Sequence, residues 1–144
     1  MSSPRVALIT GGSSGIGLAV ASILSKQGWR VHILSPSEKA GSEAAAKLKY
    51  TTFHKADVLS WESLTSAFDI VFKAEGRLDF VFANAGVMDK GTFYDEQDPS
   101  KTPLPLEDFA VDVNLQVCFS ASMKKSGAHH LRALSKPATL QSNT

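Results

Sequence analysis

Cysteine is almost absent from this chain. Cys118 is the only one in 144 residues, which excludes a disulfide framework and a cysteine-cluster metal site. No apolar run approaches the roughly 20 residues of a membrane span. Glycine and proline, at 10 and 6, are too sparse for a low-complexity chain. No sign of charge dominates: 15 Lys and Arg stand against 14 Asp and Glu, a net charge of +1. That balance argues against a nucleic-acid partner held through phosphate contacts. The opening Met1-Ser2-Ser3-Pro4-Arg5 lacks the apolar core of a signal peptide. The expectation is a cytoplasmic, reducing setting with no membrane partner. What remains is ordinary globular composition, 43% hydrophobic and 20% charged. It suits one domain, able to bury about 70% of the surface its unfolded chain exposes.

The charges are unevenly placed. Residues 1–112 carry 11 basic and 14 acidic side chains; beyond Asp112 there are Lys124, Lys125, Arg132 and Lys136 and no acid. The end, from Leu134 to Thr144, is polar and poor in large apolar residues. Residues 129–144 are expected to form a disordered basic tail.

The body alternates strand and helix. Val6-Ala7-Leu8-Ile9 is a continuous apolar run, as in a strand buried on both faces. Ile16, Leu18, Ala19, Val20, Ile23 and Leu24 recur at helical spacing, and Gly28 ends that helix. Arg30 to Leu34 reads as a second strand, Glu38 to Leu48 as a second helix. A short third strand starts at Thr52-Phe53 and reaches Ala56-Asp57-Val58. Ser60 is a good N-cap for a helix to Glu75, with Leu64, Ala67, Phe68, Val71 and Phe72 on one face and Gly76 closing it. Leu78 to Ala83 is a fourth strand; a long loop with Pro99, Pro103 and Pro105 leads to a helix from Glu107 to about Ala128. Strands separated by helices of this length pair in parallel through right-handed crossovers. The fold class is a doubly wound α/β layer, which binds ligands beyond the carboxyl ends of its strands.

Thr10-Gly-Gly-Ser-Ser-Gly-Ile-Gly17 leaves the first strand and opens the first helix. Gly11 lets the chain turn, Gly15 leaves room for a pyrophosphate, and Gly17 lets helix and strand approach. Free amides at the helix N-terminus then face an anion, with Ser13, Ser14 and Ile16 completing the loop. The plainer reading is a glycine-rich turn without a ligand; the strand before it and the helix after it favour a dinucleotide.

The spacing Gly-x-x-x-Gly-x-Gly, preceded by Thr, resembles the short-chain dehydrogenase/reductase family. Three further segments fit in order: Ala56-Asp57-Val58, Asn84-Ala85-Gly86 and Val113-Asn114-Leu115. The resemblance covers residues 5 to about 117, close to the family's N-terminal half. It implies a Rossmann-type sheet of about four strands in the order 3-2-1-4, truncated, within residues 1–128. It implies that Asp57 and Val58 lie at the adenine ring, that Asn84, Ala85 and Gly86 lie beside the cofactor, and that Asn114 serves structure and proton relay. Taken singly, Asp57 is a solvated carboxylate, Asn84 a turn former and Asn114 a helix residue.

The cofactor expectation is NADP, with NAD as the alternative. The place where an acidic residue would take both ribose hydroxyls falls at Ser35, which is neutral and does not repel a 2′-phosphate. Ser35 and Ser37 offer hydroxyl donors to such a phosphate. Ser14 is also neutral, and Lys39 is the nearest downstream cation.

The resemblance also implies a catalytic Tyr with a Lys four residues later, since a free phenol near pKa 10 is a poor base at neutral pH. Here Tyr50 is followed by His54 and Tyr94 by Asp98, and both tyrosines precede Asn114. Ser120, Ser122 and Ser126 are not matched to the family's catalytic Ser. The functional expectation is an NAD(P)-dependent oxidoreductase interconverting a small alcohol and its carbonyl, inactive on its own. The alternative is a non-catalytic dinucleotide-binding or subunit-association module. The apolar edge of the fourth strand is expected to need a covering partner. Cys118, His129, His130, His32 and His54 read as packing or solvated residues, and Phe68, Phe72, Phe80 and Phe82 as core.

Overall fold

The computed structural model describes residues 3–87 and Asn114. Four strands, β1 (Val6–Thr10), β2 (Arg30–Ser35), β3 (Thr51–Lys55) and β4 (Phe80–Ala83), alternate with α1 (Gly15–Lys26), α2 (Glu38–Ala46) and α3 (Trp61–Glu75). Every pairing is parallel and the order is β3-β2-β1-β4, as expected. Leu8 lies between His32 on β2 and Val81 on β4, so β1 runs through the middle of the sheet.

Strand alternation divides the core into two layers. Val6, Leu8 and Leu34 face α3 and pack on Leu64, Ala67, Phe68 and Val71. Ile9, Val31 and Ile33 face the opposite way, onto Ala21 of α1 and Ala44 of α2. Residues buried on alternate faces of one strand explain why β1 reads as an unbroken apolar run.

Local chemistry fixes the helix ends. The Ser37 hydroxyl accepts from the Ala40 amide at 3.3 Å and the Ser60 hydroxyl from the Ser63 amide at 3.2 Å. Gly28 and Gly76 follow α1 and α3 in left-handed backbone, with φ of 80° and 68°. Before β4, Asp79 accepts the Val6 amide at 2.8 Å on Oδ2, while its own amide donates to the Val6 carbonyl at 2.9 Å. Arg77 holds the same carboxylate through two contacts, at 2.9 and 2.7 Å.

Several boundaries and faces differ from expectation. β3 stops at Lys55, and Asp57 instead builds a turn, accepting the Leu59 amide at 2.9 Å while its own amide donates to Ser63 Oγ. α2 ends at Ala46 and β4 begins at Phe80. Phe72 is 56% exposed, because it lies about 100° round the helix from buried Val71. Ile16, Ile23 and Phe80 are exposed as well. The loop after Val87, the helix from Glu107 to Ala128 apart from Asn114, and the tail 129–144 lie outside the described residues, as do Tyr94, Cys118, His129 and His130. Asn114 itself is helical.

Candidate functional site

The carboxyl ends of β1 and β4 meet at Thr10 and Asn84. Thr10 is fully buried, and its hydroxyl oxygen accepts the backbone amides of Asn84 and Ala85, each at 3.0 Å. In return the Asn84 side-chain Nδ2 donates to the carbonyls of Thr10 at 3.2 Å and Gly11 at 3.3 Å. Thr10-Gly11 and Asn84-Ala85 are therefore one hydrogen-bonded unit, although more than 70 residues separate them.

The glycines of the first loop do different work. Gly11 turns the chain at φ 66°. A Cβ on Gly17 would strike the Gly11 carbonyl and approach Asn84 Nδ2 to 2.6 Å, so only glycine lets α1 start so close to β1. Gly15, at φ 52°, has nothing within 4 Å of the place a Cβ would take. Ser14 precedes α1 in extended backbone, its side chain caps no amide, and no acid sits in the first turn. Gly15 and Ile16 are exposed at the start of α1, with the positive end of the helix dipole behind them, an arrangement that suits an anion.

The other expected residues take up varied places. Ser35, only 4% exposed, holds its hydroxyl 3.0 Å from that of Ser13 and accepts the Ser37 amide at 3.3 Å. It braces β2 against the glycine loop. Ser37 lies just beyond and caps α2. Asp57 and Val58 follow β3 on the turn already described. These residues stand at the carboxyl ends of β1, β2, β3 and β4, along one edge of the sheet.

Asn114 is anchored to the chain after β4. The Val87 amide donates to its Oδ1 at 2.9 Å, and its Nδ2 donates to the Val87 carbonyl at 3.1 Å. A Cβ on Gly86 would come within 2.8 Å of that Oδ1. Both ends of the Asn114 carboxamide thus serve to position Gly86 and Val87. The glycine pattern gives Thr10 no role of its own; its place at the end of a buried strand, before two glycines, is the sequence signal for it. Among the described residues no helix is long and apolar enough to cross a membrane, and no group of three His, Cys, Asp or Glu could hold a metal ion.

Fold and site together define a Rossmann-type α/β domain. The model of the short chain dehydrogenase family matches residues 5–126, and the chain belongs to the short-chain dehydrogenase/reductase family. It is 40% identical over 122 residues to the short-chain dehydrogenase/reductase prx7 of Penicillium rubens, covering 80% of this chain and 43% of that protein. It is 43% identical over 88 residues to the NADP-dependent dehydrogenase clz5 of Cochliobolus lunatus, covering 59% of this chain and 30% of that protein. Among solved structures, the 3-ketoacyl-(acyl-carrier-protein) reductase from Brucella melitensis complexed with NADH superposes with a TM-score of 0.71 at 25% identity, over 83% of this chain and 48% of that one. A Burkholderia phymatum short chain dehydrogenase/reductase in complex with NAD gives 0.73 at 22% identity, over 85% of this chain and 43% of that one, a likeness of fold alone. The chain spans less than half the length of these relatives.

Proposed function

We propose that this chain supplies the dinucleotide-binding half of an NAD(P)-dependent oxidoreductase that interconverts a small alcohol and its carbonyl. The observation that carries this reading is the open, uncapped start of α1 at Gly15, held against the Thr10–Asn84 unit. The amides of Gly15, Ile16 and Gly17 would take the pyrophosphate, with Ser13 and Ser14 beside it and Gly11 shaping the turn. Asp57 and Val58 would border the adenine, and Asn84, Ala85 and Gly86 the nicotinamide side. A nicotinamide dinucleotide bound there supplies or accepts a hydride. Asn114 holds the segment beyond β4 through Val87, and it is the residue proposed for the structural and proton-relay role that the resemblance implies.

NADP is the preferred cofactor in this reading. Ser35 and Ser37 place no carboxylate where a 2′-phosphate would lie, and the Cochliobolus lunatus relative is named as NADP-dependent. Ser35 accepts from Ser13 and Ser37 and is buried, so the exposed Ser37 is the better placed to donate to the phosphate. NAD remains the alternative, since the Brucella melitensis structure is complexed with NADH.

No Tyr-x-x-x-Lys occurs in these 144 residues. The stretch by itself is therefore proposed to bind without turnover, residues 1–128 forming the domain and residues 129–144 a basic tail. A partner is proposed along the side of β4 away from β1, where no strand pairs among the described residues and Phe80 is exposed. Fluorescence titration of the purified chain with NADPH and NADH tests the reading. Saturable binding, tighter for NADPH, with no turnover over alcohols and ketones is the expected result. Measurable turnover would overturn the claim of inactivity, and no binding of either nucleotide would sink the dinucleotide reading.

A further inference from the structure

At the opposite end of the sheet from the glycine loop, Pro4, Arg30, His32, Tyr50, Thr52 and Glu75 line an open groove of about 450 Å³. Its floor is a chain of hydrogen bonds. Arg30 Nε and His32 Nε2 both reach Glu75 Oε1, at 3.0 and 3.2 Å, and His32 Nδ1 lies 2.9 Å from His54 Nε2. The side chains of His32 and Glu75 are 5% and 6% exposed. Glu75 is the last residue of α3, where the helix dipole disfavours a carboxylate. Its partners on β2 offset that and tie the end of α3 to the sheet.

The bonding fixes the tautomers. His32 must donate from Nε2 to the carboxylate, which leaves Nδ1 as an acceptor, so His54 must donate from Nε2. One added proton fits without loss: whichever ring holds it, one nitrogen of the 2.9 Å pair still donates and the other still accepts. A second proton leaves two N–H groups and two cations face to face. The described charged groups that bear on the rings are Arg30 on β2 and Glu75 on α3. Lys55 alternates to the other face of β3 and pairs with Glu38 at 3.7 Å, and β1 offers only apolar Leu8 and Val6 on this side.

We propose that Arg30, Glu75, His32 and His54 form an acid-sensitive latch, which holds the end of α3 to the sheet while the ring pair carries at most one proton and releases it on the second. Burial favours the neutral rings: it lowers His32 below 6.5 against the raising effect of Glu75, and burial and then the His32 charge lower His54. The unfolded chain takes up protons first as pH falls through 6.5, so acid weakens the fold at this point.

Nitrogen-resolved NMR of the histidines in the full chain, with hydrogen exchange of the Gly76 amide, tests the latch. That amide donates to the Phe72 carbonyl at 2.8 Å and reports on the last turn of α3. Above neutral pH both rings are expected as Nε2–H tautomers. Acid should move both rings together in a first step. A second step should follow at least one pH unit lower, with Gly76 exchange rising by up to 10-fold per pH unit after correction for intrinsic rate, the limit for a one-proton linkage. His54→Gln keeps an amide donor for His32 but takes up no proton, and should shift or remove the exchange step. Rings that titrate independently near 6.5, or a Gly76 amide indifferent to both steps, overturn the latch. Should the variant not fold, the wild-type titration decides alone.

Discussion

Thr10 Oγ1 accepts the backbone amides of both Asn84 and Ala85, each at 3.0 Å, across the joint between β1 and β4. Thr10→Val keeps the shape of the side chain and removes the shared acceptor. Two amides then lose their partner, and one unmet buried group alone costs about 1–3 kcal/mol. Urea denaturation should show a loss of about 2 kcal/mol or more, with Thr10→Ser close to wild type. An unchanged midpoint in Thr10→Val would mean that water replaces the hydroxyl without cost.

Gly17 and Gly15 should separate folding from binding. At Gly17 an added methyl meets the Gly11 carbonyl and Asn84 Nδ2, neither of which can retreat without breaking the Thr10–Asn84 unit. Gly17→Ala is expected to cost about 2–3 kcal/mol, in the range of overpacked cores. At Gly15 the methyl meets open space, and the cost is the left-handed backbone, about 1–2 kcal/mol. Gly15→Ala should therefore retain the fold but bind NADPH at least 10-fold more weakly. Thermal melts and the fluorescence titration read the two effects separately.

The contrast between these glycines shows what the sequence made legible. The alternation of helix and strand and the crowding at Gly17 follow from apolar runs, helical spacing and one glycine pattern, and the strand order from the family resemblance. Contacts between distant residues do not. His32 and His54 are 22 residues apart and come together because β2 and β3 pair with Leu34 opposite His54. Asn114 meets Val87 through a 27-residue separation that no local pattern encodes. Phe72 misled for a different reason: it sits beside a buried stripe without belonging to it, and hydrophobicity alone does not resolve that 100° step. Ser35 was legible as neutral but not as already engaged with Ser13 and Ser37.

Ser37 carries two roles that one substitution can divide. Its hydroxyl caps α2, and it is the donor proposed for a 2′-phosphate. Ser37→Ala should lower stability by about 1 kcal/mol through the lost cap. The cap loss weakens NADPH and NADH alike. A further drop of about 10-fold or more for NADPH alone, of the size of one hydrogen bond to a charged group, is expected from the phosphate contact. Equal losses for both nucleotides would remove Ser37 from cofactor choice.

Asp79 sets the acid limit of the β1–β4 joint. The Arg77 side chain first, and the Val6 amide next, hold its carboxyl below the ordinary value of 3.8. Arg77 in turn is held more firmly charged by the same bond. The sign follows from proton counting: between the folded value and 3.8 the unfolded chain binds more protons, so stability rises with pH there. The contribution is complete above the unfolded value and is lost as pH falls through the folded one. Asp79→Asn removes the titrating group and weakens the acceptor for Val6. Its melting temperature at neutral pH should be lower than wild type, and the acid decline below pH 4 should flatten. Thermal melts from pH 7 to pH 2.5 check both halves, and a variant whose acid decline matches wild type would assign that decline to other carboxylates.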